Sequence, residues 1–545
     1  MGPCSAWCGR GHSQIDRPII VYNLPIVSRS PRLLFYPSLL LLALLGMFLL
    51  WQSTPYGLGL VNDSAAYVEG AENLLAGKGY VRTSGGGELK PITHFPPLFS
   101  LLLAAFSLTG LELLPAARLL VTLLFGITIL LTGLCVYQIS RSLVFALLGA
   151  LLLATSDVFL GVHAMLLSEP LFLALMLGTF LALEKGLERP AWAWLAGAGF
   201  LLSLATLTRY AGLSLALTAG LAILLVRWSR PWKALLALLA GAAPLPLAWL
   251  LYSRLTAGTE AVGNRLVVWH PPALQTLFEA AKNLLTWLAP DDLLAAAPFF
   301  GRLLSLFSLL LLPGLLAWLI GWALRRNGAT RRTGGLAWAL ALQVLVYLGF
   351  LVVSLTLFDA STPLNERILS PAYLVMLVLF AGGLGWGWTW LRQRKTSWRW
   401  AIPVAALFFA SFSVVDGVAA LRQLSSDGLG FAHSGWQESA AIQAVRDLPP
   451  VTLYSNKPTA IYLLTGRSAY ITPTPSDAVT GLERADFEAD LAEMQQRVLA
   501  GDAVVVLFGL RDSADPEESA LYNILAEGLP MLANFSGDVL LGDLP

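Results

Sequence analysis

Apolar stretches of about 20 residues recur along most of this sequence, and no other feature limits its fold as strongly. A helix of that length crosses the roughly 30 Å hydrocarbon core of a bilayer. Eleven such stretches are found, at 33–52, 115–138, 143–161, 170–184, 191–208, 211–227, 233–253, 298–323, 335–357, 367–390 and 400–419. Charged residues make up 13% of the chain, against about 25% in soluble domains. The sequence therefore predicts a mainly α, polytopic transmembrane bundle, and it excludes a cytosolic enzyme, a disordered protein and a nucleic-acid binder.

Basic residues indicate the orientation of these spans. With residues 1–32 as a cytoplasmic tail, Lys and Arg collect in inner loops, notably RRNGATRR at 325–332 and RQRKTSWR at 392–399. The apolar run 97–109 is short for a span and is more typical of an interfacial or re-entrant helix. Counting it as a span would place both basic clusters outside. We therefore expect a multi-pass protein of the plasma (inner) membrane with a cytoplasmic N-terminus.

This topology divides the chain into the tail 1–32, a transmembrane domain at 33–419 and an extracytoplasmic domain at 420–545. Two large outer loops interrupt the transmembrane domain, at 53–110 and 254–297. Beyond 420, helical patterns alternate with short β-rich runs, which predicts a small α/β domain. The helical patterns are 434–447, 483–499 and 516–527, and the β-rich runs are 451–455, 469–472 and 503–508.

The first outer loop carries a carboxylate close to the predicted membrane boundary. Asp63 lies about ten residues after the first span, at the start of an amphipathic helical pattern that ends at Gly77. The pattern predicts a helix lying on the membrane surface, with Glu69 and Glu72 on its water-facing side. Asp63 either caps this helix or acts as a general base, and the two roles are compatible.

Other ionisable residues collect near the same predicted membrane face. Placing a charged side chain in a membrane costs free energy, so such residues commonly have a structural or functional role. They are Lys90, His94, Arg118, His163, Glu169, Arg209 and Arg367. Structural roles account for several of them as well: interfacial anchoring for Lys90 and His94, and snorkelling for Arg118. For Glu169, the alternative is a favourable contact with a helix N-terminus. The pattern suits a site that faces a lipid headgroup, but charge alone does not identify a reaction.

Several of these residues fall into a recognisable order. The motif residues are Asp63, Tyr67, Ala71, Leu74, Gly77 and Gly79, then His94, Pro96, Pro97 and Leu98 in HFPPL, then Arg118, then Ser168 and Glu169. In this order they resemble the GT-C membrane glycosyltransferases, in particular the bacterial relatives of dolichyl-phosphate-mannose protein mannosyltransferases and of the lipid A aminoarabinose transferase. The resemblance covers roughly residues 33–230.

The resemblance implies transfer of a sugar from a polyprenyl-phosphate donor at the outer membrane face. Asp63 matches the first-loop acid of the family, which implies that it acts as base or positions the acceptor. Glu169 matches the acidic position of the second outer loop. Two positions depart from the family: Ser64 stands where many members carry a second acid, and Phe95 stands where the aminoarabinose transferases have a lysine. These departures leave the sugar and the acceptor open.

Such a transfer needs a base for the acceptor hydroxyl and cationic help for the phosphate, which leaves unprotonated because its second pKa is near 6. We expect Asp63 as base with support from Glu169, and Arg367 with Arg209 or His94 on the phosphate. The further substrate-binding candidates are Tyr67, Lys90, Arg118 and His163. A divalent ion, Mg²⁺ or Mn²⁺, between Asp63 and Glu169 is chemically compatible, although no ligand cluster requires it.

The expected partners are the lipid-linked donor, membrane lipids and an acceptor protein, lipid or glycan, with no nucleic acid. Two other classes are compatible with the composition: a secondary transporter or lipid flippase, and a membrane scaffold without catalytic activity. Transporters place ionisable sites near the bilayer midplane. Convergence of Asp63, Glu169 and Arg367 beneath the first loop favours the enzyme, and scattering of these residues favours a scaffold.

Overall fold

Long apolar helices dominate the computed structural model, which describes residues 29–83, 87–188, 191–225, 231–258, 269–286, 314, 335–358, 362–477 and 482–543. Six described helices are long and apolar enough to cross a membrane, or eight if each of two bent helix pairs counts as one span. The chain therefore forms a polytopic bundle of membrane-spanning helices, as the sequence predicts.

The elements up to residue 427 are, in chain order, α1 (Arg29–Gln52), α2 (Asn62–Leu75), β1 (Val81–Thr83), β2 (Leu89–Pro91), α3 (Leu98–Ser107), α4 (Leu113–Ser140), α5 (Leu143–Ala154), α6 (Asp157–His163), α7 (Glu169–Glu188), α8 (Trp192–Thr208), α9 (Gly212–Leu225), α10 (Pro231–Ala242), α11 (Pro244–Ala257), α12 (Leu274–Thr286), α13 (Gly335–Leu357), α14 (Glu366–Gln393) and α15 (Ala401–Asp427). The apolar run at 97–109 forms the short helix α3 rather than a full span.

Two predicted spans are bent. The span 143–161 divides into α5 and α6 with a 59° bend, and the span 233–253 divides into α10 and α11 with a 48° bend, where Pro244 starts the second helix. Helix α15 continues to Asp427, so it extends beyond the predicted boundary at 419. The count of eleven spans stays a prediction, because the stretch 298–323 lies outside the described residues.

Helices α8 and α10 approach each other so closely that only glycine fits between their backbones. A Cβ atom at Gly199 would meet the backbone of Leu238, and a Cβ at Gly241 would meet the backbone of Ala196. Small residues allow this close packing of helices in lipid. Helix α8 also packs on α7, and each of these two helices has an ionisable residue at or next to one end.

Helix α2 of the first loop is largely buried, and Glu69 does not face water, which corrects that part of the sequence-based prediction, whereas Glu72 is exposed as predicted. Tyr67 is 1% exposed and Glu69 is 7% exposed, because the hairpin β1–β2 and helix α3 cover α2. The Glu69 carboxylate accepts a hydrogen bond from the backbone N–H of Thr83, at 2.8 Å. Burial nevertheless raises the pKa of Glu69. Glu69 thus holds the hairpin, which the sequence analysis did not predict.

The C-terminal part forms a five-stranded sheet in the order β4-β3-β5-β7-β6. Its elements are α16 (Ser434–Gln437), α17 (Ala440–Asp447), β3 (Thr452–Ser455), α18 (Pro458–Thr465), β4 (Tyr470–Ile471), α19 (Phe487–Leu499), β5 (Ala503–Leu507), α20 (Pro516–Ala526), β6 (Met531–Phe535) and β7 (Asp538–Leu541). Strand β3 runs parallel to β4 and β5, whereas β7 runs antiparallel to β5. All three β-rich runs form strands; the hairpin β6–β7 was not predicted.

One short backbone segment of the first loop, Gly59 and Leu60, forms hydrogen bonds with the segment before α7 and with the segment after α15. The N–H of Gly59 donates to the carbonyl of Ala164 at 2.7 Å, and the N–H of Leu166 donates to the carbonyl of Gly59 at 2.9 Å. On the other side, the N–H of Phe431 donates to the carbonyl of Leu60 at 2.7 Å. Gly59 and Leu60 therefore lie between the segment before α7 and the segment after α15.

Candidate active site

Arg367 joins the two carboxylates that the sequence analysis singled out. Its Nη2 group forms an ion pair with Asp63 Oδ2, and its Nε lies 2.6 Å from Glu169 Oε1. Arg209 Nη1 lies 2.8 Å from the same Glu169 oxygen. Two acids and two arginines, separated by up to 304 residues in the sequence, thus form one cluster at the ends of α2, α7, α8 and α14.

The two carboxylates differ sharply in their access to solvent. The side chain of Asp63 is 28% exposed, whereas that of Glu169 is 1% exposed. The Oε1 atom of Glu169 is paired with both arginines. Its Oε2 atom has no hydrogen-bond partner in the part of the chain that the structure describes. A substrate can therefore reach Asp63, while Glu169 is placed to hold Arg209 and Arg367.

Helix starts position the acids and Arg367. The Ser64 hydroxyl accepts from the N–H of Val61 at 3.0 Å and donates to the carbonyl of Leu166 at 2.9 Å. Val61 is the N-cap of α2, so Asp63 lies in the first turn and is not itself the cap, contrary to one of the two predictions. This turn places Asp63 beside the segment that leads to Glu169. A carboxylate at a helix N-terminus is favourable.

On α14, the Asn365 side chain accepts a hydrogen bond from the N–H of Ile368 at 3.2 Å and caps the helix. The Tyr347 hydroxyl of α13 donates to the carbonyl of Ile368 at 2.6 Å. Together they fix the first turn of α14, on which Arg367 is the second residue. The sequence analysis missed Asn365 and Tyr347; the N-cap pattern before Glu366 is the signal that could have identified Asn365.

Arg209 has a second support that involves Tyr67. Its Nη1 donates to Ser168 Oγ at 3.2 Å, and Ser168 Oγ shares a hydrogen bond of 2.8 Å with the Tyr67 hydroxyl. Burial raises the pKa of Tyr67, which keeps its hydroxyl neutral. Tyr67 therefore reaches the cluster through Ser168, as a positioning residue behind Arg209.

Loss of this hydroxyl is expected to have a small effect on a reaction at the cluster. Tyr67→Phe removes about one neutral hydrogen bond, worth about 1 kcal/mol, so we expect a turnover that is about three- to tenfold lower. Steady-state rates measure the effect. Tyr36→Phe, at an exposed position on α1, is the matched control and is expected to match the wild type. A wild-type rate for Tyr67→Phe would contradict this positioning role.

The structure does not bring Arg118 or His163 to the cluster. The guanidinium of Arg118 lies 4.0 Å from the ring centroid of Trp51, and its Nε donates to Thr54 Oγ1 at 3.1 Å. His163 is fully buried in α6, where its Nδ1 lies 2.8 Å from the carbonyl of Phe159. Both side chains are used in packing, so the structure offers no support for substrate binding by either.

Lys90 and His94 lie on the exposed side of the first loop. Lys90 belongs to β2 and lies opposite Arg82 in the hairpin. The segment of His94 is held near the cluster, because the hydroxyl of Tyr210, which follows Arg209, donates to the carbonyl of Thr93 at 2.9 Å. Of the two, only His94 belongs to a segment with this described link to Tyr210, and substrate binding by either stays a prediction.

The arrangement does not fit a divalent ion bound between Asp63 and Glu169. The guanidinium of Arg367 bridges these two carboxylates, and Oε1 of Glu169 is also paired with Arg209. Within the described ranges, no group of three or more His, Cys, Asp and Glu side chains converges.

Comparisons of the whole chain agree with this architecture. No protein-family model matches the chain, and no curated protein sequence matches it. Among solved structures it is similar to ArnT from Cupriavidus metallidurans bound to undecaprenyl phosphate, with 14% identity over 94% of this chain and 98% of that one, and a TM-score of 0.54. It is also similar to the oligosaccharyltransferase AglB from Archaeoglobus fulgidus, in complex with an inhibitory peptide and a dolichol-phosphate, with 14% identity over 92% of this chain and 71% of that one, and a TM-score of 0.53. The chain therefore has the GT-C fold that the first-loop motifs imply.

Proposed function

We propose that the protein is a membrane glycosyltransferase that moves a sugar from a polyprenyl-phosphate-linked donor to an acceptor hydroxyl at the outer face of the membrane. The observation that carries this proposal is the cluster in which Arg367 joins a half-buried Asp63 to a buried Glu169. Two proteins with the same fold hold undecaprenyl phosphate and a dolichol-phosphate, which supports a lipid-phosphate donor here.

Asp63 is the general base of the proposed reaction. It is the only carboxylate of the described cluster with substantial exposure, so an acceptor hydroxyl can reach it. Its ionised oxygen would take the proton as the hydroxyl attacks the anomeric carbon and the bond to the phosphate oxygen breaks. The proton ends on Asp63, and the leaving group departs as polyprenyl phosphate.

Arg367 and Arg209 stabilise the departing phosphate. Guanidinium groups bind phosphate oxygens in pairs, and both side chains keep an exposed fraction, 25% for Arg367 and 21% for Arg209. Glu169 holds the two guanidinium groups close together from behind, despite their mutual repulsion. Because the two guanidinium groups are held in place before the reaction, they can stabilise the negative charge that develops on the phosphate.

The location of the cluster favours an enzyme over a secondary transporter or lipid flippase. Its four residues lie at or next to helix ends, whereas transporter sites form near the middle of the bilayer, at breaks in the spanning helices. The buried pairing also argues against a scaffold, because side chains from four distant segments would have no reason to converge there.

A direct test uses the purified full-length chain with polyprenyl-phosphate sugars in nanodiscs. Release of free polyprenyl phosphate, followed by thin-layer chromatography, reports transfer, and sugar movement across sealed liposomes reports transport. We expect release of polyprenyl phosphate when donor and acceptor are both present. Movement of the intact lipid-linked sugar across the bilayer, without release of polyprenyl phosphate, would overturn the proposal in favour of a flippase.

Transfer is expected to persist after chelation of divalent ions. Arg367 and Arg209 already supply the positive charge beside the carboxylates, so EDTA should leave the initial rate unchanged. Initial rates with and without EDTA give the measurement, and added MgCl₂ in excess of EDTA is the control. A rate lost in EDTA and recovered with Mg²⁺ or Mn²⁺ would show that the cluster rearranges around a metal.

A further inference from the structure

A cavity of about 540 Å³ opens in the C-terminal part of the chain, away from the charged cluster. It lies where β3 and β5 end and β7 begins, and its lining includes His433, Trp436, Lys457, Phe508 and Asp538. Ligands of α/β sheets commonly bind outside the carboxyl ends of parallel strands. The volume is within the range of small-ligand sites, about 300–1,000 Å³.

Hydrogen bonds between strand ends make the floor of this cavity rigid. The Asn456 side chain donates to the carbonyl of Phe508 and accepts from its N–H, both at 2.9 Å. The N–H of Gly509 donates to Asp538 Oδ1 at 3.0 Å. Trp436 packs against Phe508, with ring centroids 5.1 Å apart. The site is therefore preformed, which lowers the entropy cost of binding.

The lining combines one aromatic surface with polar groups of both signs. The half-buried indole of Trp436, which contacts the rings of Phe431 and Phe508, contributes apolar surface. Lys457, Ser439 and Asp538 contribute donors and acceptors. His433 Nδ1 accepts a hydrogen bond from the N–H of Gly435 at 3.0 Å, so in the neutral ring the proton lies on Nε2, as a donor.

This chemistry favours a neutral polyhydroxylated ligand. An anion would meet Asp538, and a cation would meet Lys457, so neither charge is matched. A sugar ring has an apolar face for an aromatic side chain and a rim of hydroxyls that both donate and accept, which fits a mostly apolar surface with a few placed polar groups.

The cavity also lies within reach of the proposed base. Its edge includes Gly430, which pairs with Leu60 in a parallel bridge. Neighbouring strands are about 5 Å apart, and the three residues from Leu60 to Asp63 span at most about 11 Å, so Gly430 lies within roughly 16 Å of Asp63. That distance is within the length of an elongated ligand.

We propose that this cavity is an acceptor subsite that binds a neutral glycan, so that the acceptor of the reaction is a carbohydrate chain rather than a protein. The proposal rests on the proposed glycosyl transfer and names its acceptor class. Binding in the cavity would hold the inner part of the glycan while its terminal hydroxyl reaches Asp63.

The test is equilibrium binding to the full-length protein in nanodiscs, without donor and without glycoside detergents, which would compete. The probes are fluorescently end-labelled maltohexaose, chitohexaose and mannohexaose, followed by fluorescence anisotropy. We expect saturable binding of at least one of them. Trp436→Ala should weaken that binding at least tenfold, and Lys457→Ala, at an exposed position that leaves the packing intact, should weaken it about threefold.

Trp398→Ala is the matched control, because Trp398 is 75% exposed and lies outside the cavity; it should bind the glycan as the wild type does. The binding assay contains no donor, so a failure of this site can be separated from a failure of transfer. Three results would overturn the proposal: no hexasaccharide binds, both cavity variants bind like the wild type, or a labelled Ser/Thr-rich hexapeptide binds in place of every glycan.

Discussion

Asp63→Asn is expected to lower sugar transfer by about 10²- to 10⁴-fold, the range that a positioned general base contributes. Asparagine keeps the size of the side chain and an oxygen that can accept from Arg367, but it cannot take the acceptor proton. The measurement is the initial rate of polyprenyl phosphate release at saturating donor. Because only one carboxylate oxygen pairs with Arg367, we expect little change in thermal stability.

The matched control for this variant is Glu72→Gln, on the same helix. Glu72 accepts a hydrogen bond from the Tyr462 hydroxyl of α18 and takes no part in the described cluster. Its replacement should leave the chemical step near the wild-type rate. If Asp63→Asn retained more than about a tenth of wild-type activity, Asp63 would not be the base.

Arg367→Lys is expected to lower turnover by about 10²- to 10³-fold, although it preserves the charge. The guanidinium reaches Glu169 through Nε and Asp63 through Nη2 at the same time, whereas a lysine ammonium is a single point that cannot reproduce this fork. The phosphate would then lose its paired donors. Separate determination of kcat and of KM for the donor should show both parameters worsening.

Arg118→Lys is the control for that experiment. Arg118 stacks on Trp51 and does not contact the cluster, so its replacement should change turnover by less than about threefold. Equal losses in the two variants would indicate a general effect of arginines near the membrane surface and would argue against a specific phosphate-binding role for Arg367.

The helical architecture was largely predictable from the sequence, because the thickness of the bilayer determines the length of an apolar span and basic residues collect in the loops on its inner side. The predicted span 335–357 coincides with α13, and the short run 97–109 forms a helix of ten residues. Helix α15 continues beyond the predicted span 400–419, because its final turns are polar and the hydropathy pattern stops before the helix does.

The site was predictable as a set of residue types and not as a set of contacts. Glu69 shows the limit: its helical phase indicated solvent, but the hairpin β1–β2 covers it, and that hairpin has strands of only three residues. Arg118 and Arg209 both lie near helix ends, and both were candidates for substrate binding. Only the packing of α7 against α8 brings Arg209 to Glu169.

The single guanidinium shared by Asp63 and Glu169 has a consequence for the order in which substrates act. While Arg367 is paired with Asp63, one oxygen of that carboxylate is held by the guanidinium group. For the proposed reaction, an arriving lipid phosphate competes for the same guanidinium and, in taking it, releases the carboxylate. Asp63 would thus become available to accept a proton only after the donor phosphate has bound Arg367. An acceptor that binds first would meet an Asp63 that is still paired with Arg367.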